Sequence, residues 1–354
     1  MMTMMEKMKI ELQCPMPKFE FDTINLGHGS GGLLTHRFLK SGVFDVLHND
    51  MLDQQHDGAI FEMNGKMAFS TDSYVISPIF FPGGNIGDLA INGTVNDLAM
   101  CGAAAKYLSL GFIIEEGFTM TEFWKVLVSI KEAAKKANIQ IVTGDTKVVE
   151  RGKGDKIFIN TSGVGNIHSR ANIHHNNIEQ GDVIILSGNI ASHGIAIMSL
   201  REGLEFETDI QSDTTSLKHT VLSLLDAYGS DIHFLRDPTR GGVASVLNEI
   251  AELTHLGYYI QQQLIPIDAQ VDGACEMLGL DPLYVANEGL FIAIVKKEIA
   301  SDFLQSLQKD NNGTNAAIIG EVTKENGGRV IMKSRVGGKR VVNYLLGEQL
   351  PRIC

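Results

Sequence analysis

The sequence predicts a mixed α/β (α+β) protein of two domains, and three observations carry that prediction. The chain has 354 residues, about twice a usual domain of roughly 100–200 residues. Short apolar strand runs alternate with segments of helical period, the pattern of helices layered on sheet. The alternation starts afresh near Ile167, which sets domains at 19–166 and 167–341, preceded by an extension (1–18) and followed by a tail (342–354).

Composition narrows the class. Hydrophobic residues make up 44% of the chain and charged ones 20%, a globular balance rather than a disordered one. Lys+Arg 30 against Asp+Glu 42 gives a net charge of −12, so the basic footprint of a nucleic-acid binder is missing. Cys14, Cys101, Cys275 and Cys354 are scattered, with neither zinc-ribbon spacing nor a disulfide framework, as in a reducing compartment. Met1 to Glu11 lacks the apolar run of a signal peptide. The longest uncharged stretch, Val183 to Leu200, is broken by Ser187, Gly188, Asn189, Ser192, His193 and Gly194. No membrane span is expected, and the chain is expected in the cytoplasm.

The elements follow in order. Pro15 and Pro17 spoil regular structure in the extension. Gly27-His28-Gly29-Ser30-Gly31-Gly32 is a turn, and Leu33, Leu34, Phe38 and Leu39 open a helix behind it. Lys66 to Thr71 alternates as a strand that delivers Asp72 at its end, and Asn85 to Met100 has Ile86, Leu89, Ala90 and Gly93 on one helical face. Thr119 and Glu122 form a capping box for a helix carrying Phe123, Val126, Leu127, Ile130 and Ala134. Gln140 to Thr143 is a short strand ending in the loop Gly144-Asp145-Thr146-Lys147. In the second half, Asp182 to Leu186 reads as a strand, and Thr214 to Tyr228 and Val243 to Thr254 as helices. Strands are expected at Leu290 to Val295, Ala317 to Val322 and Arg329 to Lys333; Val342 to Cys354, with Gly347 and Pro351, reads as tail.

The glycine turn fits G-x-G-x-x-G through Gly27, Gly29 and Gly32, yet Leu47 to Gln54 is no strand, so the dinucleotide fingerprint lacks its context. No Walker Gly-Lys-Ser/Thr follows either. What remains is an anion cradle of glycine N–H groups before a helix, or equally a tight structural turn. Asp57, Asp72, Asp97, Asp145 and Asp237 sit at strand ends, in loops or inside an apolar helix. Dispersed hard oxygens of this kind suit Mg²⁺ carrying a nucleotide triphosphate; taken singly, each is equally a cap or turn aspartate. Lys147 and Glu288 are, taken singly, solvated charges, and the run Lys324, Arg329, Lys333, Arg335, Lys339 and Arg340 is the outer face of a hairpin. His28, His174 and His175 lack metal-ligand spacing. Cys354 stands apart: as the last residue, after Pro351-Arg352-Ile353, it packs nothing and reads as an exposed thiol on a swinging arm.

Together these residues resemble the HypE family of hydrogenase maturation proteins, the carbamoyl dehydratases, within the superfamily of aminoimidazole ribonucleotide synthetase and selenophosphate synthetase. The resemblance runs from Leu26 to Cys354 through the Gly27–Gly32 turn, Phe80-Phe81-Pro82-Gly83-Gly84, Gly93 to Ala99, Thr143 to Val149, Asp237-Pro238-Thr239-Arg240, Ala286 to Gly289 and Asn315 to Gly320. The ending Pro351-Arg352-Ile353-Cys354 singles out the family. The resemblance implies a PurM-like fold, with an N-terminal ATP-binding domain that dimerises through its sheet and a C-terminal α/β domain. It implies ATP-dependent dehydration of a carbamoyl group on Cys354 to a thiocyanate, the source of the cyanide ligand of [NiFe] hydrogenase. It also implies Mg²⁺ on Asp72, Asp97 and Asp237, and ATP near Gly29, Ser30, Gly31, Gly32, Asp57, Thr71, Asn96, Asp145 and Thr146. Lys147 and Glu288 would stand beside the thiol. The carbamoyltransferase HypF would load Cys354, and HypC–HypD would accept the cyanide. Two rivals differ in class: a selenophosphate-synthetase-like or purine-type ligase indifferent to Cys354, and a nucleotide-regulated thiol carrier without hydrolysis.

Overall fold

A computed structural model describes residues 16–54, 58–203 and 210–345. Asp57, Cys14, Cys354 and the rest of the tail beyond residue 345 lie outside the described residues. None of the described helices is long and apolar enough to cross a membrane.

The first domain is a four-stranded sheet covered on one face by helices. Its strands are β1 (Met67–Tyr74), β4 (Ala103–Glu115), β5 (Gln140–Val149) and β6 (Ile157–Ile167); β2 (Phe80–Phe81) and β3 (Gly84–Asn85) form a separate small ribbon. The order is β1-β6-β4-β5, antiparallel except for the β4–β5 pair. Residues 33–47 make a helical run, α1 (Leu33–Phe38), a π-helical turn (Leu39–Phe44) and α2 (Asp45–Leu47). α3 (Ile86–Met100) and α4 (Met120–Lys136) lie on the inner sheet face. In α4 the periodicity is obeyed: Phe123, Val126, Leu127, Ile130 and Ala134 are buried, and Thr119 Oγ1 accepts the Glu122 N–H at 3.1 Å. α3 departs from it, being buried nearly all round. It lies between the sheet, α4 and the second domain, so apolar and small residues fill every side of it.

The second domain is a seven-stranded sheet between helical layers. Its strands are β7 (Val183–Leu186), β8 (Ile232–Arg236), β9 (Gly257–Gln261), β10 (Ile292–Val295), β11 (Ala317–Thr323), β12 (Val330–Lys333) and β13 (Lys339–Val342), in the order β13-β12-β9-β11-β7-β10-β8. Strand alternation feeds two cores. Ile184 and Leu186 pack with α5 (Ser192–Glu202), α7 (Gly242–Thr254) and α8 (Ala269–Leu278), whereas Ile185 packs with α6 (Lys218–Tyr228) and α9 (Ala300–Gln308). Ala99 and Met100 of α3 join the latter core, and Ile197 and Ala286 join the core of the first domain.

Five boundaries move relative to the sequence reading. β1 continues to Tyr74, so Asp72 lies inside a strand, and β5 continues to Val149, so Lys147 does too. α6 begins at Lys218, not Thr214, because residues before it spend their backbone groups on the other domain. Val342 is fully buried and paired with Val330, so it ends the sheet rather than opening the tail. Ile167 likewise belongs to β6, opposite Ala103.

Candidate active site

Side chains alternate along β1, so Ser70 and Asp72 share its inner face. Ser70 Oγ donates to Asp97 Oδ2 at 2.7 Å from β1 to the last turn of α3. Asp237 follows β8 and is buried, and Arg240 Nη2 reaches Asp72 Oδ1 at 3.4 Å. Glu288, just before β10, is also buried.

These acids feel one another. Burial raises the Asp97 carboxyl above its ordinary value, and the charge of Asp72 adds to the rise. Burial, then Asp97 and Asp72, push Asp237 up to about 7, against the pull of Arg236. Glu288 is driven up by burial, then by Asp213, Asp237, Asp72 and Asp97. Its Oε1 is buried without a hydrogen-bond partner. Such an atom costs about 1–3 kcal/mol unless something meets it. Crowded hard oxygens and an orphaned carboxylate oxygen fit a divalent cation with its anionic ligand. Among the described residues no three His, Cys, Asp or Glu side chains form a metal cage by themselves. Mg²⁺ commonly needs just one or two carboxylates, with phosphate oxygens and water completing its shell.

A second group of predicted residues gathers on β5. Asn25 Oδ1 accepts the Gly27 N–H at 3.0 Å, and Thr35 Oγ1 donates to Gly27 O and accepts from Gly31 N, both at 3.0 Å. Gly29 is required by close approach, since a Cβ there would lie 2.5 Å from Val148 N. Ser30 Oγ donates back to Gly27 O at 3.1 Å, and Gly32 caps α1 without a side-chain bond. Beneath the turn is a cavity of about 210 Å³ with apolar walls from Leu39, Val43, Phe44 and Phe112, and Gly144 to Lys147 at its rim. Asp145 and Lys147 pair at 2.7 Å, both exposed, and that bond holds the Asp145 carboxyl below its ordinary value. Their register partners on β4 are Gly111 and Ile113, so they share the sheet face that no helix of the first domain covers.

The structure therefore brings Asp72, Asp97, Asp237 and Glu288 together at the β1 edge, and Gly29, Gly31, Asp145, Thr146 and Lys147 together at the β5 edge. β6 and β4 lie between them, a lateral gap of about 14 Å at ~4.8 Å per strand. Two expected nucleotide contacts have their polar groups engaged within the protein. Thr71 is on the opposite face of β1 from Asp72, exposed, with its hydroxyl bonded to Thr161 O and Ser162 Oγ. Asn96 is fully buried, and its amide is spent between domains on Thr215 O, Glu288 O and the Leu217 N–H. Sequence reasoning missed Ser70 and Asp213. The run Ser212-Asp213-Thr214 before a helix looks like an ordinary cap.

Comparisons with known proteins cover both domains. Residues 55–167 match the AIR synthase related protein N-terminal domain, and residues 179–333 its C-terminal domain. The chain is 46% identical over 332 residues to carbamoyl dehydratase HypE of Bradyrhizobium diazoefficiens, covering 94% of this chain and 96% of that one. It is 43% identical over 341 residues to carbamoyl dehydratase HypE of Escherichia coli, covering 94% and 100%. Among solved structures, HypE in complex with ATP superposes with a TM-score of 0.90 at 45% identity, covering 93% of this chain and 99% of that one. The HypE–HypF complex gives 0.77 at 41%, covering 89% and 100%. A thiamine monophosphate kinase from Aquifex aeolicus at 17% identity and a TM-score of 0.56, covering 82% and 94%, shares the fold alone.

Proposed function

The chain belongs to the HypE family of hydrogenase maturation proteins, and from that premise we propose that it is a carbamoyl dehydratase acting on its own Cys354 at the expense of ATP. The observation that carries this reading is the set of coupled acids at the β1 edge, with the orphaned Oε1 of Glu288 among them.

An amide oxygen is a poor leaving group. Dehydration therefore begins when the carbamoyl oxygen takes the γ-phosphoryl of ATP, releasing ADP and one N–H proton. The resulting O-phosphoimidate then expels phosphate as the second N–H proton leaves, forming the C≡N bond of the thiocyanate. The site must hold phosphate, offset charge growing on oxygen, and accept a proton. Asp72, Asp97 and Asp237 would hold Mg²⁺, which supplies charge neutralisation for the phosphates. The Gly29–Gly32 turn, Asp145 and Thr146 face the nucleotide, and Lys147 offsets negative charge on the transferring oxygen. Glu288 is the proton acceptor, its raised affinity for protons suiting it to hold one.

The uncovered sheet face supplies the dimer. Phe69 (71% exposed), Met67 and Ile113 protrude from it, as in an interaction surface. Two sheets stacked face to face about an axis parallel to the strands set β5 of one copy over β1 of the other. That stacking brings β1 and β5 of different copies to one sheet spacing of ~10 Å, so that two copies would complete each site together. The chain is tacked at Asn343, whose carbonyl accepts from Tyr284 Oη at 2.8 Å. Eleven further residues lead to Cys354, a reach of at most about 40 Å, enough to serve this site and then a partner. HypF is the carbamoyl donor, a reading supported by the solved HypE–HypF complex, and HypC–HypD the cyanide acceptor. Carbamoyl phosphate, ATP and the carbamoyltransferase test the carrier: wild-type protein gains one carbamoyl mass, or that mass less one water after turnover, and Cys354→Ala gains neither while still binding ATP. Uptake by Cys354→Ala overturns it.

A further inference from the structure

Buried polar atoms without partners are rare in folded proteins, so the place where they gather is informative. Among the described residues the unpartnered buried side-chain atoms are Thr214 Oγ1, Ser216 Oγ and Glu288 Oε1. All lie on the strap of residues 210–217 that crosses between the domains, or on the loop it packs against. The strap is pinned at both ends: Ser212 N donates to Pro82 O, and Leu217 N to Asn96 Oδ1, each at 2.8 Å.

Between these pins Asp213 faces Glu288. The Glu288 N–H lies 3.1 and 3.3 Å from the two Asp213 carboxylate oxygens, and the Gly289 N–H also donates to that carboxylate. Gly289 sits so close that a Cβ would meet Asp213 O at 1.7 Å. From the other side Asn96 Nδ2 donates to Glu288 O at 3.1 Å. Both backbone groups of Glu288 are thus held, while one oxygen of its side chain is left without a partner. A helix cap would take N–H groups from its own first turn; Asp213 takes them from residues 75 and 76 positions away, and α6 starts only at Lys218. A half-buried carboxylate is also an expensive way to satisfy two amides that a neutral hydroxyl or amide oxygen could serve in part.

We infer that Asp213 is a positioning residue of the dehydration site: its carboxylate fixes the backbone of Glu288 so that the Glu288 side chain is presented to the carbamoyl nitrogen. This rests on the reading of Glu288 as proton acceptor. A frame fixed in advance is worth rate rather than nucleotide affinity, because misplacing a reacting group by about 1 Å can cost about 100-fold.

The test is single-turnover dehydration of the carbamoylated protein with Mg-ATP, followed by intact mass, in Glu288→Gln, Asp213→Ala, Asp213→Asn and the Glu288→Gln/Asp213→Asn pair. Loss of the acceptor slows Glu288→Gln by about 100-fold. Asp213→Ala slows comparably, and Asp213→Asn, which keeps one acceptor oxygen, recovers to about tenfold below wild type, with ATP affinity within about twofold throughout. The double variant is no slower than Glu288→Gln alone, because Asp213 acts through Glu288. If the two effects multiply, or Asp213→Ala reacts at the wild-type rate, the inference falls and the proton-acceptor reading stands. If Glu288→Gln itself reacts at the wild-type rate, that reading falls and takes the inference with it. Should Asp213→Ala fail to fold, the near-isosteric Asp213→Asn carries the same comparison.

Discussion

Asp97 matters for its charge, since Asp97→Asn preserves shape and an acceptor for the Ser70 hydroxyl but removes a hard anionic ligand. ATP turnover should drop at least about 100-fold with the circular dichroism spectrum unchanged; normal turnover at limiting Mg²⁺ would contradict the assignment. Lys147→Ala should bind ATP but stall at the carbamoylated stage, because loss of transition-state stabilisation lowers turnover more than affinity. A wild-type rate of thiocarbamate conversion would remove Lys147 from the mechanism. Asp213 carries a pH signature. Burial lifts its carboxyl from 3.8 to about 6, so across that window the folded protein keeps a proton that the unfolded chain has released. Stability contributed by this group is therefore lost as pH rises from 3.8 to about 6. Asp213→Asn should flatten the fall in Tm over the same range; an unchanged slope by calorimetry counts against it. Asp72, Asp97, Asp237 and Glu288 were legible because acids among apolar neighbours need a reason to be there. Asp213 was hidden among turn formers, and adjacency in sequence does not reveal that Thr71 takes the face of β1 opposite Asp72 or that the Asn96 amide turns to the second domain.

At the scale of elements, long apolar helices were readable and polar strands were not. The α4 stripe follows its 3.6-residue period, whereas β5 was cut short at Thr143 because Gly144-Asp145-Thr146-Lys147 has loop composition. On an open sheet face such residues are compatible with a strand. Residues 214–217 of the strap read as helix for the converse reason: backbone bonds there are made across the domain boundary, which no local pattern reports. The start of α6 illustrates the consequence. Lys218 is buried, and its Nζ donates to Ala105 O (2.7 Å), Ala137 O (2.8 Å) and Asn138 O (3.1 Å), joining the second domain to the C-terminus of α4 and to β4. Burial lowers its pKa, yet its removal takes a charged donor from three carbonyls. Lys218→Ala should cost about 2–4 kcal/mol in denaturant unfolding. A change below about 0.5 kcal/mol, the range of ordinary surface substitutions, would show that solvent replaces it.

At the scale of the whole molecule, the two-domain organisation was visible in length and repeating alternation, but the division of the site between sheet edges was not. Strand order is set by pairing between distant segments, and a single chain does not reveal which copy completes a site. If β5 of one copy serves β1 of the other, mixing Asp97→Asn with Lys147→Ala protein under subunit exchange restores one intact site per mixed dimer. That amounts to about one quarter of wild-type activity at equal mixing. A site built within one chain gives no recovery. The most direct test of the account follows wild-type protein, carbamoylated on Cys354, through one turnover with Mg-ATP by intact mass and peptide mapping. The account predicts the loss of one water from the Cys354 peptide as one ADP forms, whereas ADP formation with the thiocarbamate intact, or a water loss mapped to another residue, would contradict it.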